Sequence, residues 1–315
     1  MSSDGPLESR RSVTASGRNA PSADEVHDQS RSHELGSPFV DMKRLLALLA
    51  ARPLIALVIA AVAVGILLLG THRQKTPVTH RTEHVKLTDA EQARLGAQQY
   101  AKTLHQYANR IVSSGPRYEE VQRVARRIAA VGGRDKPNFA WRVTLLRKQE
   151  ANAYCLPGGK IVVYTGILPV TRNDSGLATV LGHEVAHATA EHAAERIERE
   201  HLTKVAAAIL AGGVAITPRQ YAHILALLGV GGAAAELPFS RSQESEADHI
   251  GLVYMARAGY DPRQAVAFWQ RMLAASKGKE PPEFASDHPS TASRVEHVRG
   301  WLPEAERAYT QSRSS

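Results

Sequence analysis

His183-Glu184-Val185-Ala186-His187 sits inside a stretch, Leu177 to about Glu200, that carries apolar and small residues at helical spacing. Asn173, Asp174 and Ser175 precede it as candidate N-caps, so the sequence predicts one long helix from Leu177 to Glu200. On a helix, residues i and i+4 share a face, so the imidazoles of His183 and His187 can reach one metal ion. Glu184 is turned about one position away, where its carboxylate can address a water bound to that metal. Gly182, Ala186 and Ala190 leave room for a second element to pack close beside that face.

Two imidazoles leave a metal short of donors, and the sequence offers two candidates for a third. His192 lies nine positions after His183, about 180° around a straight helix, so it is expected to face away as a surface or structural histidine. The alternative is a carboxylate on a second helix. Glu244-Ser245-Glu246-Ala247-Asp248 puts Glu244 and Asp248 at i and i+4. Glu244 is then the third ligand, and Asp248 accepts a hydrogen bond from the other N–H of a ligating imidazole. Glu246 is expected to point elsewhere, into solvent or a surface ion pair.

Around this core the sequence predicts an α+β, mostly helical domain over residues 88–315. Thr88-Asp89-Ala90-Glu91 reads as a capping box opening a helix to about Val112. A second helix runs from near Tyr118 to Gly132-Gly133. Trp141–Leu146 and Lys160–Thr165 read as strands, with a turn at Pro157-Gly158-Gly159. Further helices are expected at about 202–216, 219–229, 242–258, 262–275 and 290–300.

The N-terminal third differs. Residues 1–44 are polar, with few large apolar residues, and are expected to be disordered. Within 45–70, the run Pro53–Gly70 is apolar and free of charge for 18 residues, near the minimum for a transmembrane helix. No signal-peptide cleavage site follows, so an uncleaved anchor is expected, with 71–87 as a polar linker. Arg31, Lys43, Arg44 and Arg52 on one side balance Arg73, Lys75, Arg81 and Lys86 on the other, so charge does not set the orientation.

Composition narrows the function classes. Hydrophobic residues at 43% and charged residues at 22% are those of a globular chain. The net charge of +8 is spread without a basic run, and aromatics are only 5%, which argues against nucleic-acid binding. Cys155 is the single cysteine, which excludes an internal disulfide and a cysteine-rich zinc site. It is expected to be a small buried residue.

Four blocks resemble one family. They are Asn152-Ala153-Tyr154 with Leu156-Pro157-Gly158-Gly159, His183–His187, Ser240-Arg241 through Glu244 to Asp248-His249-Ile250-Gly251, and His288-Pro289 with Arg294. Their order and spacing resemble metallopeptidase family forty-eight, which includes the HtpX-type, Oma-type and CAAX prenyl-protein peptidases. The resemblance implies a gluzincin fold with a small sheet beside the active-site helix. It implies one Zn2+ on His183, His187 and Glu244, with Glu184 as general base. It also implies that Asn152 lies on an edge strand facing the substrate, that His288 stands near the scissile carbonyl and that Arg294 supports it. The apolar stretches between the metal motifs, 205–215 and 224–235, are too short to span a bilayer and resemble the single-anchor Oma-like and periplasmic branches. They are expected to cover the cleft, as a lid or against the membrane.

That branch implies unfolded or misfolded protein substrates, lipid contact through the anchor, and a bacterial inner membrane with the catalytic domain in the periplasm. The competing reading is a catalytically silent, zinc-bearing chaperone or scaffold. The intact Glu184 argues against it, because a structural zinc needs no base.

Overall fold

The computed structural model describes residues 72–199, 240–276, Phe284, His288 and 292–314. The anticipated disordered tail, the apolar run 53–70 and the helices at 202–216 and 219–229 lie outside these residues. Among the described residues, no helix is long and apolar enough to cross a membrane.

The fold is mostly helical, with two small sheets. The stretch expected to be a linker opens with an antiparallel hairpin, β1 (His72–Lys75) and β2 (Thr82–Val85). Next comes α1 (Asp89–Gln106), opened by the expected Thr88–Glu91 capping box. It ends short of Val112, because Ile111–Val112 pairs with a later strand as β3. Long-range pairing there overrides the local helical pattern. α2 (Pro116–Asp135) buries Val121, Val124, Ala125, Ile128 and Val131, the spacing of one helix face.

β4 (Arg142–Leu146), β5 (Ala153–Leu156) and β6 (Lys160–Tyr164) complete a sheet in the order β3-β4-β6-β5. β4 and β6 are parallel, whereas β5 and β6 form an antiparallel hairpin. Its turn uses Gly158 (φ 77°) and Gly159 (φ 82°), left-handed values that glycine adopts without strain. β5 is an edge strand. After a short α3 (Leu168–Thr171) comes α4 (Asp174–Thr189), capped by Asn173, whose side chain accepts from the Gly176 N–H.

α4 is buried on every side from Gly176 to Thr189. α2 packs against it on one side and α5 (Arg241–Arg257) on another. α5 is opened by a Ser240–Gln243 capping box. The two helices cross at Gly182 and Gly251. A Cβ on Gly182 would lie 2.6 Å from the Gly251 carbonyl oxygen, so only glycine allows this approach. α6 (Arg263–Ser276) and α7 (Ala292–Ser314) close the far side. α7 runs through Pro303, well past the expected end near residue 300.

The long helix expected to run to Glu200 is broken. α4 ends at Thr189, Glu191 takes a left-handed φ of 50°, and a separate helical stretch begins at 192. This kink re-aims everything after it.

Candidate metal centre

His183 and His187 come from the last two turns of α4, and Glu244 from the first turn of α5. The glycine crossing holds α5 close enough for its carboxylates to meet those imidazoles. One nitrogen from each of His183, His187 and His288 and one Glu244 oxygen lie within 4.8 Å of one another, all buried. His183 Nε2 is 3.1 Å from His187 Nε2 and 3.1 Å from His288 Nδ1. Glu244 Oε1 is 3.3 Å from His187 Nε2 and 2.9 Å from His288 Nδ1.

This donor set fits a divalent cation. Glu184 Oε1 is buried and accepts no hydrogen bond, and Glu244 Oε2, also without a hydrogen bond, has the Arg294 guanidinium as an ion-pair partner at 3.2 Å. Orphaned buried oxygens are costly, and a cation satisfies them. Imidazole and carboxylate donors in a tight cluster suit zinc and its neighbours.

Asp248 and Arg294 lie beside these donors. Asp248 Oδ1 lies 3.0 Å from His183 Nδ1. Arg294 grips the same carboxylate in a fork, Nε to Oδ2 at 2.6 Å and Nη2 to Oδ1 at 2.7 Å. Its guanidinium carbon sits 3.5 Å from the centroid of the Trp269 ring. Arg294 also donates to the His288 carbonyl at 3.1 Å, so it fixes the segment bearing His288.

Glu184 faces the same space from the side of the sheet. Its Oε2 accepts from the Cys155 backbone N–H of β5 at 3.2 Å, and its Oε1 is 3.4 Å from His288 Nε2. Asn152 sits one residue before β5, not on it. Its side-chain oxygen accepts from the Ala153 N–H, and its carbonyl accepts from the Tyr164 N–H. Cys155, expected to be buried, is half-buried on β5, and desolvation raises its thiol well above the ordinary pKa, so it stays protonated.

The electrostatics suit metal binding and base chemistry. Burial holds His187 well below its ordinary pKa, so its ring is neutral with a lone pair to give. For His183 burial is outweighed by hydrogen bonds to Asp248 and Glu244, and its pKa is raised. Glu244 is lowered: burial opposes ionisation, but the imidazoles around it dominate. Burial, aided by Glu244 and opposed by His288, lifts Glu184 to about 7, where a base works best near neutral pH.

Two expectations fail. His192 does not face away. It is fully buried, with Nδ1 2.9 Å from His187 Nδ1. The kink at Ala190-Glu191 turns it back toward α4, which a straight-helix projection cannot show. Glu246 is not solvated. It is buried, its Oε2 is 3.1 Å from His192 Nε2, and Thr76, Thr79 and Arg81 all donate to it.

Comparison with known proteins identifies the family. The profile of peptidase family M48 matches residues 116–302, more than half the chain. The mitochondrial metalloendopeptidase OMA1 of Schizosaccharomyces pombe is 36% identical over 239 residues, covering 75% of this chain and 68% of that protein. OMA1 of Saccharomyces cerevisiae is 30% identical, covering 77% of this chain and 72% of its own. The β-barrel assembly-enhancing protease of Escherichia coli is 31% identical over 162 residues, covering 49% of this chain and 33% of its own. The chain therefore belongs to peptidase family M48, among its Oma-type metalloendopeptidases.

Proposed function

We propose that His183, His187 and Glu244 hold one zinc ion per chain, and that Glu184 is the base for hydrolysis of peptide bonds in unfolded or misfolded proteins at a membrane. The observation that supports this most is the convergence of three imidazoles and a carboxylate beside the orphaned Glu184 oxygen. When bound, zinc supplies an electrophile that polarises the scissile carbonyl and acidifies a water. Glu184 takes the proton of that water as its oxygen bonds to the carbonyl carbon. It then hands the proton to the amine nitrogen as the C–N bond breaks. His288 donates its Nε2–H to the carbonyl oxygen as negative charge builds there. The Cys155 N–H aims Glu184, and the edge strand β5, beside Asn152, receives an extended peptide by backbone hydrogen bonds. Asp248 and Arg294 hold His183 in place.

Glu184→Gln is expected to keep zinc and lose about 10²–10⁴-fold in casein cleavage. Undiminished cleavage would remove Glu184 from the base role. His288→Ala is expected to lower turnover with zinc content unchanged. Loss of zinc in that variant makes His288 a fourth ligand instead.

Residues 45–70, with the apolar run 53–70, are the proposed anchor, with 1–44 as a disordered tail, and the anchor accounts for work at a membrane. The stretch 202–235 is the proposed cover of the cleft. Placement in a bacterial inner membrane with the catalytic domain in the periplasm rests on the sequence resemblance alone. Reporter fusions at the C-terminus test it: a cytoplasmic signal refutes it.

A further inference from the structure

The ligand His187 is backed by a chain of hydrogen bonds that leads out of the metal centre to the N-terminal hairpin. His187 Nδ1 meets His192 Nδ1 at 2.9 Å, and His192 Nε2 meets Glu246 Oε2 at 3.1 Å. The far end sets the direction of every bond. Glu246 already accepts from Thr76 Oγ1 at 2.9 Å, Thr79 Oγ1 at 2.5 Å and Arg81 Nε at 2.6 Å, so it acts as an acceptor. His192 must then donate through Nε2–H and accept at Nδ1. His187 must carry its proton on Nδ1, which leaves Nε2 bare toward the other donors.

The hairpin is built to hold this end. Its turn keeps two non-glycine residues at left-handed φ, Val78 at 62° and His80 at 54°. Thr76 N–H to the Arg81 carbonyl at 2.9 Å and His80 N–H to the Thr76 carbonyl at 3.1 Å hold the turn closed. Strain of this kind persists where the surroundings over-determine the backbone. Here it brings both threonine hydroxyls onto one oxygen of Glu246. Arg81 also reaches Glu195 at 2.7 Å, on the stretch that carries His192, so hairpin, kinked segment and α5 are tied together.

We propose that His192 and Glu246, clamped by the β1–β2 hairpin, are positioning residues that fix the tautomer and orientation of His187 for metal binding. This rests on His187 being a ligand. Asp248 does the same for His183 directly, whereas Glu246 acts through an interposed imidazole. The consequence is specific: the segment that follows the apolar run 53–70 sets the affinity of the metal site.

The test uses the full chain, purified in detergent and stripped with a chelator. Zn2+ affinity is measured by competition, and the Co2+ form by its visible absorption. His192→Phe keeps the shape and removes both bonds. Its expected effect is an affinity loss of about 10–100-fold and a shifted Co2+ spectrum, while the melting temperature of the metal-free protein stays level or rises. His192→Gln restores an acceptor and a donor and is expected to recover most of the affinity. Parent-like affinity and spectrum in His192→Phe overturn the proposal, because His192 is then only filling space. A metal-free protein that melts early while its folded fraction binds normally overturns it as well. Should His192→Phe not fold, Glu246→Gln decides: a few-fold loss with a shifted spectrum supports the proposal, and parent-like binding refutes it. A parent chain that binds no metal instead refutes the ligand assignment itself, and this inference with it.

Discussion

The two imidazoles of α4 proposed as metal ligands are backed in different ways. Behind His183 stands Asp248, one helix crossing away, forked by a buried Arg294 and braced on Trp269. Behind His187 stand a second imidazole and a carboxylate held by a hairpin whose Arg81 is 38% exposed. The first is a buried packing of side chains from four helices, α4 to α7. The second is a polar cluster gathered from three separate segments. One protein can thus orient neighbouring ligands by a direct carboxylate and by a relay, and the two should respond differently to damage.

The largest expected effect is on the His183 side. Asp248→Ala leaves Arg294 buried without its main partner, at a cost of about 3–5 kcal/mol in chemical denaturation of the metal-free protein. Glu246→Ala should cost well under half of that, because Arg81 is partly exposed and keeps Glu195. Equal losses would erase the distinction between the two regions.

Glu83 sharpens the contrast on the hairpin side. It is buried on β2, and neither carboxylate oxygen accepts a hydrogen bond. Burial, then Glu191 and Glu195, raise its pKa from 4.5 to about 9. Between those values folding takes up a proton, so stability falls as pH rises through that window. Glu83→Gln removes the penalty. It should stabilise by roughly 3 kcal/mol at pH 7 and by almost nothing at pH 4, read from paired denaturation curves. A gain independent of pH would contradict the assignment.

A smaller effect tests the helix crossing. The added Cβ of Gly251→Ala would lie 2.7 Å from the Gly182 carbonyl carbon and the His183 nitrogen. Overpacking of this kind costs about 1–3 kcal/mol, and it should weaken metal binding by displacing Glu244 and Asp248 together. An unchanged melting temperature would mean the helices do not approach this closely.

The same contrast explains what the sequence disclosed. His183, His187, Glu244 and Asp248 obey regular helix spacing on two helices, so their faces follow from periodicity alone. His288 and Arg294 came from resemblance to family motifs, since nothing local marks them. A straight-helix projection puts His192 on the wrong side, because Thr189-Ala190-Glu191 carries no glycine or proline to announce a break. The left-handed Glu191 is sustained by tertiary contact instead, an ion pair with buried Lys136. Glu246 was read as solvated because its partners are remote: Arg81 lies 165 residues earlier. The hairpin itself, in what looked like a linker, has short polar strands with no apolar alternation to reveal them.

The most direct test of the central claim is anomalous diffraction at the zinc edge from crystals of the zinc-loaded protein. One strong peak is expected within bonding distance of His183 Nε2, His187 Nε2 and a Glu244 oxygen, with Asp248 and His192 touching the opposite nitrogens of the two rings. A peak elsewhere, or a loaded protein with no peak among these residues, would contradict it.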